Sequence, residues 1–305
     1  MTTSTPIAPD CGTFDIAGKK VARLGFGAMR LTGRGIWGEP DDRAECVRVV
    51  RRALELGVQL IDTADSYGPY ISEEIIREAV HPYPDDVLIA TKAGLTRNGP
   101  DAIETAQGPV RLGPRAWPPV GRPAYLRQEA EMSLRRLGLD HIDLFQLHRV
   151  DPEVPLEEQV GELKNLQDEG KIVAIGLSQV TVDQIEQARR IASIATVQNR
   201  YNLTDRSSED VLEYCARERI GFMPWAPVSA GELARQGGPV DRLARRHDAT
   251  PAQVALAWLL ARSDNMLPIP GTSRVTHLEQ NLAAAHLTLG PEEITMLTDA
   301  GRETA

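Results

Sequence analysis

Eight short β-branched or apolar runs alternate with helical stretches along the chain, and this alternation restricts the fold more than any other feature of the sequence. The runs are VARLGFGAM (21–29), QLIDTAD (59–65), VLIATKAG (87–94), IDLFQLHRV (142–150), IVAIGLSQ (172–179), ATVQNRY (195–201), GFMPWAP (221–227) and NMLPIPG (265–271). Most are apolar throughout, as strands buried on both faces are. Between them apolar residues recur at spacings of three and four. They fall at Ala44, Val47, Val50 and Leu54, at Leu126, Ala130, Leu134 and Leu137, and at Leu156, Val160, Leu163 and Leu166. Each set makes one apolar stripe on a helix. Asp42 before Glu45, Ser207 before Asp210, and Thr250 before Pro251 read as helix starts. Eight strand–helix pairs in strict order, over 305 residues, predict an α/β fold of the (β/α)8 TIM-barrel type, one domain spanning 1–305. The segment 13–22 reads as an N-terminal β-hairpin turning at Ala17–Gly18 and closing the barrel bottom. The connection 95–122, rich in Gly and Pro, is too long for an idle loop, and a second long connection covers 228–239.

In such a barrel the chemistry sits at the C-terminal ends of the strands. The second run ends in IDTADSYG, with Asp62, Asp65 and Tyr67; the third carries Lys92; the fourth carries His148. An unpaired buried charge is very costly, so Asp62 and Lys92 are expected to pair. A free phenol has a pKa near ~10, and an ammonium beside it is expected to lower that value. Tyr67 could then protonate an alkoxide as it forms, with His148 orienting the carbonyl oxygen. Making an alkoxide from a carbonyl requires a hydride that no side chain supplies, so a nicotinamide cofactor is implied. Taken singly, each residue is more often structural than catalytic; four at the ends of consecutive strands point to function. The other histidines lack metal spacing, and no metal is expected.

Gly25-Phe26-Gly27 fails as a dinucleotide fingerprint, because Arg30 stands where the third glycine belongs. IPGTSR (269–274) is a better phosphate device, joining a strand end to a helix start. Gly271 permits close approach, Thr272 and Ser273 offer hydroxyls, and Arg274 offers charge for a 2′-phosphate. A plain βα turn is the alternative.

With these residues in hand, the sequence resembles the aldo-keto reductase family from RLGFGAM to LEQNLAA, through IDTADSYG, TKAG, LFQLH, GLSQ, VQNRYN and IPGTSR in the family's order. Local stretches such as GFGAMRLTG and PGTSRVTHLEQNLAA look closest to bacterial pyridoxal reductase-like members. The resemblance implies that Asp62, Tyr67, Lys92 and His148 are the catalytic tetrad, with Tyr67 the general acid. It implies NADPH as cofactor, with Ser178, Gln179 and Gln198 at the nicotinamide carboxamide and Trp225 stacked on the ring. Gln179 stands where the family usually has Asn. Gly27, Ala28, Met29, Asp62 and Pro227 fall along the same path, Gly271, Thr272, Ser273 and Arg274 match the 2′-phosphate site, and Gln280 and Asn281 match adenine contacts. Trp37 and Trp117 are expected to close the substrate pocket, or else to serve as packing residues.

The implied activity is NADPH-dependent reduction of an aldehyde or ketone. Pyridoxal and a pathway-specific keto compound are the substrate alternatives, and a catalytically weak NADPH-binding sensor subunit is the alternative to an enzyme. A net charge of −9 argues against nucleic acid as a partner. No apolar run reaches the ~20 residues a membrane span needs, no signal peptide is visible, and three scattered cysteines suit a reducing cytoplasm. Oligomeric state is not readable.

Overall fold

The turn at Ala17–Gly18 places both residues at positive φ, 51° and 89°, the geometry that suits a two-residue link between twisted strands. It joins β1 (Thr13–Ile16) to β2 (Lys19–Ala22) in antiparallel register. In this computed structural model, which describes residues 8–105 and 108–304, the strands that follow are β3 (Phe26–Gly27), β4 (Leu60–Asp62), β5 (Leu88–Ala93), β6 (Ala102–Thr105), β7 (Gly108–Arg111), β8 (Ile142–Leu147), β9 (Ile172–Ser178), β10 (Ile194–Gln198) and β11 (Gly221–Phe222). The helices are α1 (Arg43–Glu55), α2 (Ile71–Val80), α3 (Pro123–Leu137), α4 (Leu156–Asp168), α5 (Val182–Arg189), α6 (Glu209–Arg217), α7 (Pro239–Arg246), α8 (Pro251–Arg262), α9 (Val275–Leu282) and α10 (Pro291–Thr304). Seven strands form one parallel sheet in the order β11-β10-β9-β8-β5-β4-β3. The sheet curls into the expected (β/α)8 barrel.

The eighth run does not make a regular strand. Met266 bridges Phe222, and the Leu267 amide donates to the Phe222 carbonyl at 2.8 Å. On its other side the Pro268 and Pro270 carbonyls accept from the Gly25 and Gly27 amides at 2.9 and 3.3 Å. The segment therefore closes the barrel, but Pro268 and Pro270 have no N–H to donate and the ladder stays incomplete. The closure is tight: a Cβ on Gly271 would stand 2.5 Å from the Gly27 carbonyl oxygen, and one on Gly27 would stand 2.5 Å from that of Ile269. The close approach that Gly271 permits is thus made first by the chain itself.

Side chains on a strand alternate between two faces. Leu60, Leu88, Ala90, Leu144, Ala174, Met223, Leu267 and Ile269 form one buried cluster inside the barrel, joined by Ile16 and Val21 of the hairpin. The hairpin closes the bottom as expected, and Lys19 fastens it by donating to the Val87 carbonyl and to Asp143. Ile61, Ile89, Phe145, Ile175 and Val197 face outward into the helix layer. Burying each such side chain is worth ~1.5–3 kcal/mol.

The stripes on α3 and α4 are buried as their spacing requires. On α1 the buried face is Cys46, Val47, Val49, Val50 and Ala53, and Ala44 is exposed. Asp42 caps α1 by accepting from the Glu45 amide, and Thr250 caps α8 in a reciprocal box with Gln253. Ser207 does not cap α6. Its hydroxyl donates to Asp205, and Ser208 occupies the cap position. Within the connection 95–122, β6 and β7 pair as antiparallel strands. No helix among the described residues is long and apolar enough to cross a membrane.

Candidate active site

The parity that puts Leu60, Ala90 and Leu144 inside the barrel carries Asp62, Lys92, Gln146 and His148 to its upper end. Lys92, fully buried, uses all three of its N–H bonds. It donates to Asp62 Oδ2 at 2.7 Å, to the Thr63 carbonyl at 2.7 Å, and to Tyr67 Oη at 3.2 Å. Asp62 Oδ1 accepts from the amides of Gln146 and Gln198, each at 3.0 Å. Burial opposes charge on Lys92, but Asp62 and the Tyr67 oxygen outweigh it and hold its pKa above that of an ordinary lysine. The expected Asp62–Lys92 pair is therefore present.

Tyr67 corrects one expectation. Burial pushes its pKa up, and the opposing pull of Lys92 does not bring it below the ordinary phenol value. The phenol stays protonated at neutral pH. Because its oxygen accepts from Lys92, its own O–H remains available. His148 lies edge-on to the Tyr67 ring, with centroids 5.8 Å apart. Burial, reinforced by Lys92, Arg149 and Arg97, holds its pKa well below the usual histidine value, so the imidazole is neutral. Its Nδ1 lies 3.3 Å from the Ser66 hydroxyl.

Above these groups opens a cavity of about 600 Å³ lined by Gly27, Met29, Asp62, Tyr67, Trp117, His148, Ser178, Gln198, Trp225, Pro227 and Gly271, among others. Most of the residues expected at the nicotinamide end thus share one wall system. Ala28 is buried beneath it, and its carbonyl accepts from Ser72. Gln179 does not line the cavity. It takes a left-handed φ of 53°, and its Oε1 accepts from the Arg200 amide and from Trp225 Nε1 at 2.7 and 2.6 Å. It therefore fixes the indole plane. Trp117 stands edge-on to both Tyr67 and His148. Trp37 does not line the cavity; it is 39% exposed, with the Arg97 guanidinium 5.6 Å from its ring centroid.

At the far end, Thr272 is buried and its Oγ1 accepts from the Arg274 amide. Ser273 is half-buried, Arg274 and Gln280 are exposed, and Asn281 is half-buried at the other end of α9. The first amide of α9, that of Val275, already donates to Glu45 at 3.0 Å. The Ser273 hydroxyl and the Arg274 guanidinium are side-chain groups that this end offers to a phosphate.

Several site residues escaped the sequence reading. Gln146 is two residues before His148 on one strand, so strand parity alone places it beside Asp62. Arg97 has no such signal. Its guanidinium donates to the carbonyls of Gly35, Ile36, Ser66 and Gly99, and lies 3.5 Å over the Trp117 ring. It ties the long connection to the mouth, where Asp101 accepts from Trp117 Nε1. Arg149 and Ser66 line or brace the same space.

Asp65 belongs elsewhere. Both its oxygens are buried, neither has a hydrogen-bond partner of good geometry among the described residues, and Glu73, Glu129 and Arg136 lie near. Burial, then Glu73 and Glu129, push its pKa well above the ordinary carboxylate value. The folded state therefore keeps a proton that the unfolded state loses near pH ~4, and stability falls as pH rises above that point. Asp65→Asn is expected to flatten this decline. Denaturant midpoints of both proteins between about pH 5 and 8 check it; parallel slopes would contradict it.

A profile of the aldo/keto reductase family matches residues 23–302. The chain is 46% identical to an uncharacterized oxidoreductase of Schizosaccharomyces pombe, covering 97% of this chain and 92% of that one. It is 41% identical to pyridoxine 4-dehydrogenase of Escherichia coli, covering 95% and 99%. Among solved structures, an aldo-keto reductase of Klebsiella pneumoniae in complex with NADPH superposes with a TM-score of 0.78 at 26% identity, covering 94% of each chain. The glycerol dehydrogenase of Gluconobacter oxydans gives 0.81 at 27%, covering 97% and 96%. The chain belongs to the aldo/keto reductase family and is an oxidoreductase.

Proposed function

We propose that the protein reduces an aldehyde or ketone to its alcohol with NADPH, that Tyr67 is the general acid, and that the chain 1–305 works as one domain around this cavity. The observation that carries the reading is the third N–H of Lys92. It is spent on the Tyr67 oxygen, so the phenol proton points away from the amine at the wall of the cavity. An alkoxide is more basic than a phenolate, so the transfer remains favourable although the Tyr67 pKa is raised. Neutral His148 donates one N–H to the carbonyl oxygen, and its Nδ1 is engaged by the Ser66 hydroxyl. Lys92 stabilises the phenolate as the proton leaves, and Asp62 keeps Lys92 charged.

The residues fit a nicotinamide. The Ser178 hydroxyl accepts from Arg149 and keeps its own O–H, the Gln198 side-chain oxygen Oε1 has no hydrogen-bond partner among the described residues, and Trp225 offers a fixed aromatic face. Ser178 and Gln198 would hold the carboxamide, while Ser273 and Arg274 would hold a 2′-phosphate. When bound, NADPH supplies the hydride to the carbonyl carbon. The NADPH complex of the K. pneumoniae neighbour supports this cofactor, and the E. coli relative makes pyridoxal the first substrate to try.

Loss of NADPH absorbance with pyridoxal and a panel of aldehydes and ketones tests the reading. Turnover is expected, and kcat/KM should stay flat between about pH 6 and 8, because His148 is already neutral and Tyr67 still protonated there. Tight NADPH binding without turnover of any carbonyl would leave a sensor subunit instead.

A further inference from the structure

We propose that Arg149 is a receptor for a carboxylate carried by the substrate, so that the preferred carbonyl compounds of this site are acids. The inference rests on the reductase reading of the cavity and goes on to name its substrate class. Arg149 lies one residue past His148 and lines the same cavity as Tyr67. Its Nη1 is committed, donating to the His148 carbonyl at 2.9 Å and to Ser178 Oγ at 3.2 Å. These two bonds fix the guanidinium plane. Nε and Nη2 make no hydrogen bond among the described residues, and neither is sealed from solvent. They share one edge of the guanidinium, and their parallel N–H bonds match the two oxygens of a carboxylate.

The charge balance of the cavity points the same way. Lys92 is neutralised by Asp62, and His148 is uncharged. Arg97 is sealed by four carbonyls and sits 3.5 Å from Asp101. Arg30, also on the lining, is exposed beside Gly271 at the barrel seam. No described carboxylate forms an ion pair with Arg149. A guanidinium stays charged even when partly desolvated. An anionic ligand would replace the water that burial removes and supply the missing counter-charge.

Equilibrium binding to the NADP⁺-loaded protein tests the assignment without turnover. The ligands are 3- and 4-carboxybenzaldehyde and their methyl esters, which keep the shape and remove the charge. Wild type is expected to bind at least one acid about tenfold more tightly than its ester. Arg149→Gln should bring that ratio close to one, and Arg149→Lys should retain part of it. A merely structural Arg149 would weaken acid and ester alike and leave the ratio unchanged in Arg149→Gln. That result, or a wild type that binds ester as tightly as acid, overturns the proposal. Adding NADPH separates the two readings. An acid bound through Arg149 but never reduced contradicts the reductase reading alone, whereas reduction with an unchanged ratio contradicts the Arg149 assignment alone.

Discussion

Tyr67→Phe is expected to lower carbonyl reduction by about 10²–10⁴-fold, the range a positioned general acid contributes, while NADPH binds within a few fold of wild type. The substitution removes one oxygen from a ring that otherwise stays packed against Trp117 and His148. It also leaves one Lys92 N–H without its acceptor, while the bonds to Asp62 and to the Thr63 carbonyl remain. The pocket should keep its shape and its charge, so the loss falls on kcat rather than on cofactor affinity. Steady-state kinetics with a reactive aldehyde, beside a fluorescence titration with NADPH, check both halves. Turnover near the wild-type rate would mean that another group delivers the proton.

Lys92→Met is expected to lose both activity and stability. The ammonium is fully buried, and its partner Asp62 is nearly so. Without Lys92, the partners of the Asp62 carboxylate among the described residues are the Gln146 and Gln198 amides, set against a desolvated charge. Breaking a buried pair from one side typically destabilises by about 3–5 kcal/mol. Replacing both partners removes the stranded charge, so Asp62→Asn combined with Lys92→Met should recover much of the stability and none of the activity. Chemical denaturation and turnover of the two proteins separate the roles. A single variant as stable as wild type would show that the carboxylate has taken up a proton or found another partner.

The barrel was legible because its cause is local: short buried strands alternate with striped helices, and each pair needs little information beyond itself. Reading the strands as uniformly apolar nevertheless hid their alternation. Once Leu60 and Ala90 are assigned to the interior, Asp62 and Lys92 follow by parity, and so do Gln146 and Ser178. The eighth strand was overstated because two prolines break its ladder while still accepting hydrogen bonds. Other features depend on contacts that no spacing encodes. Arg97 reaches carbonyls from three separate segments, and Gln179 turns through a left-handed backbone to hold Trp225. The sequence names the ammonium near Tyr67 but does not show how completely the phenol is buried, and burial sets the direction of its shift.

The central claim is that reductant and phenol act on the same carbonyl in the cavity at the barrel mouth. A single turnover with NADPH deuterated at the transferring position tests it most directly, with the alcohol product analysed for label. Deuterium on the carbinol carbon, formed far more slowly in Tyr67→Phe, is the predicted result. An alcohol whose carbinol carbon carries only solvent hydrogen, or label transfer at the same rate in both proteins, would contradict it.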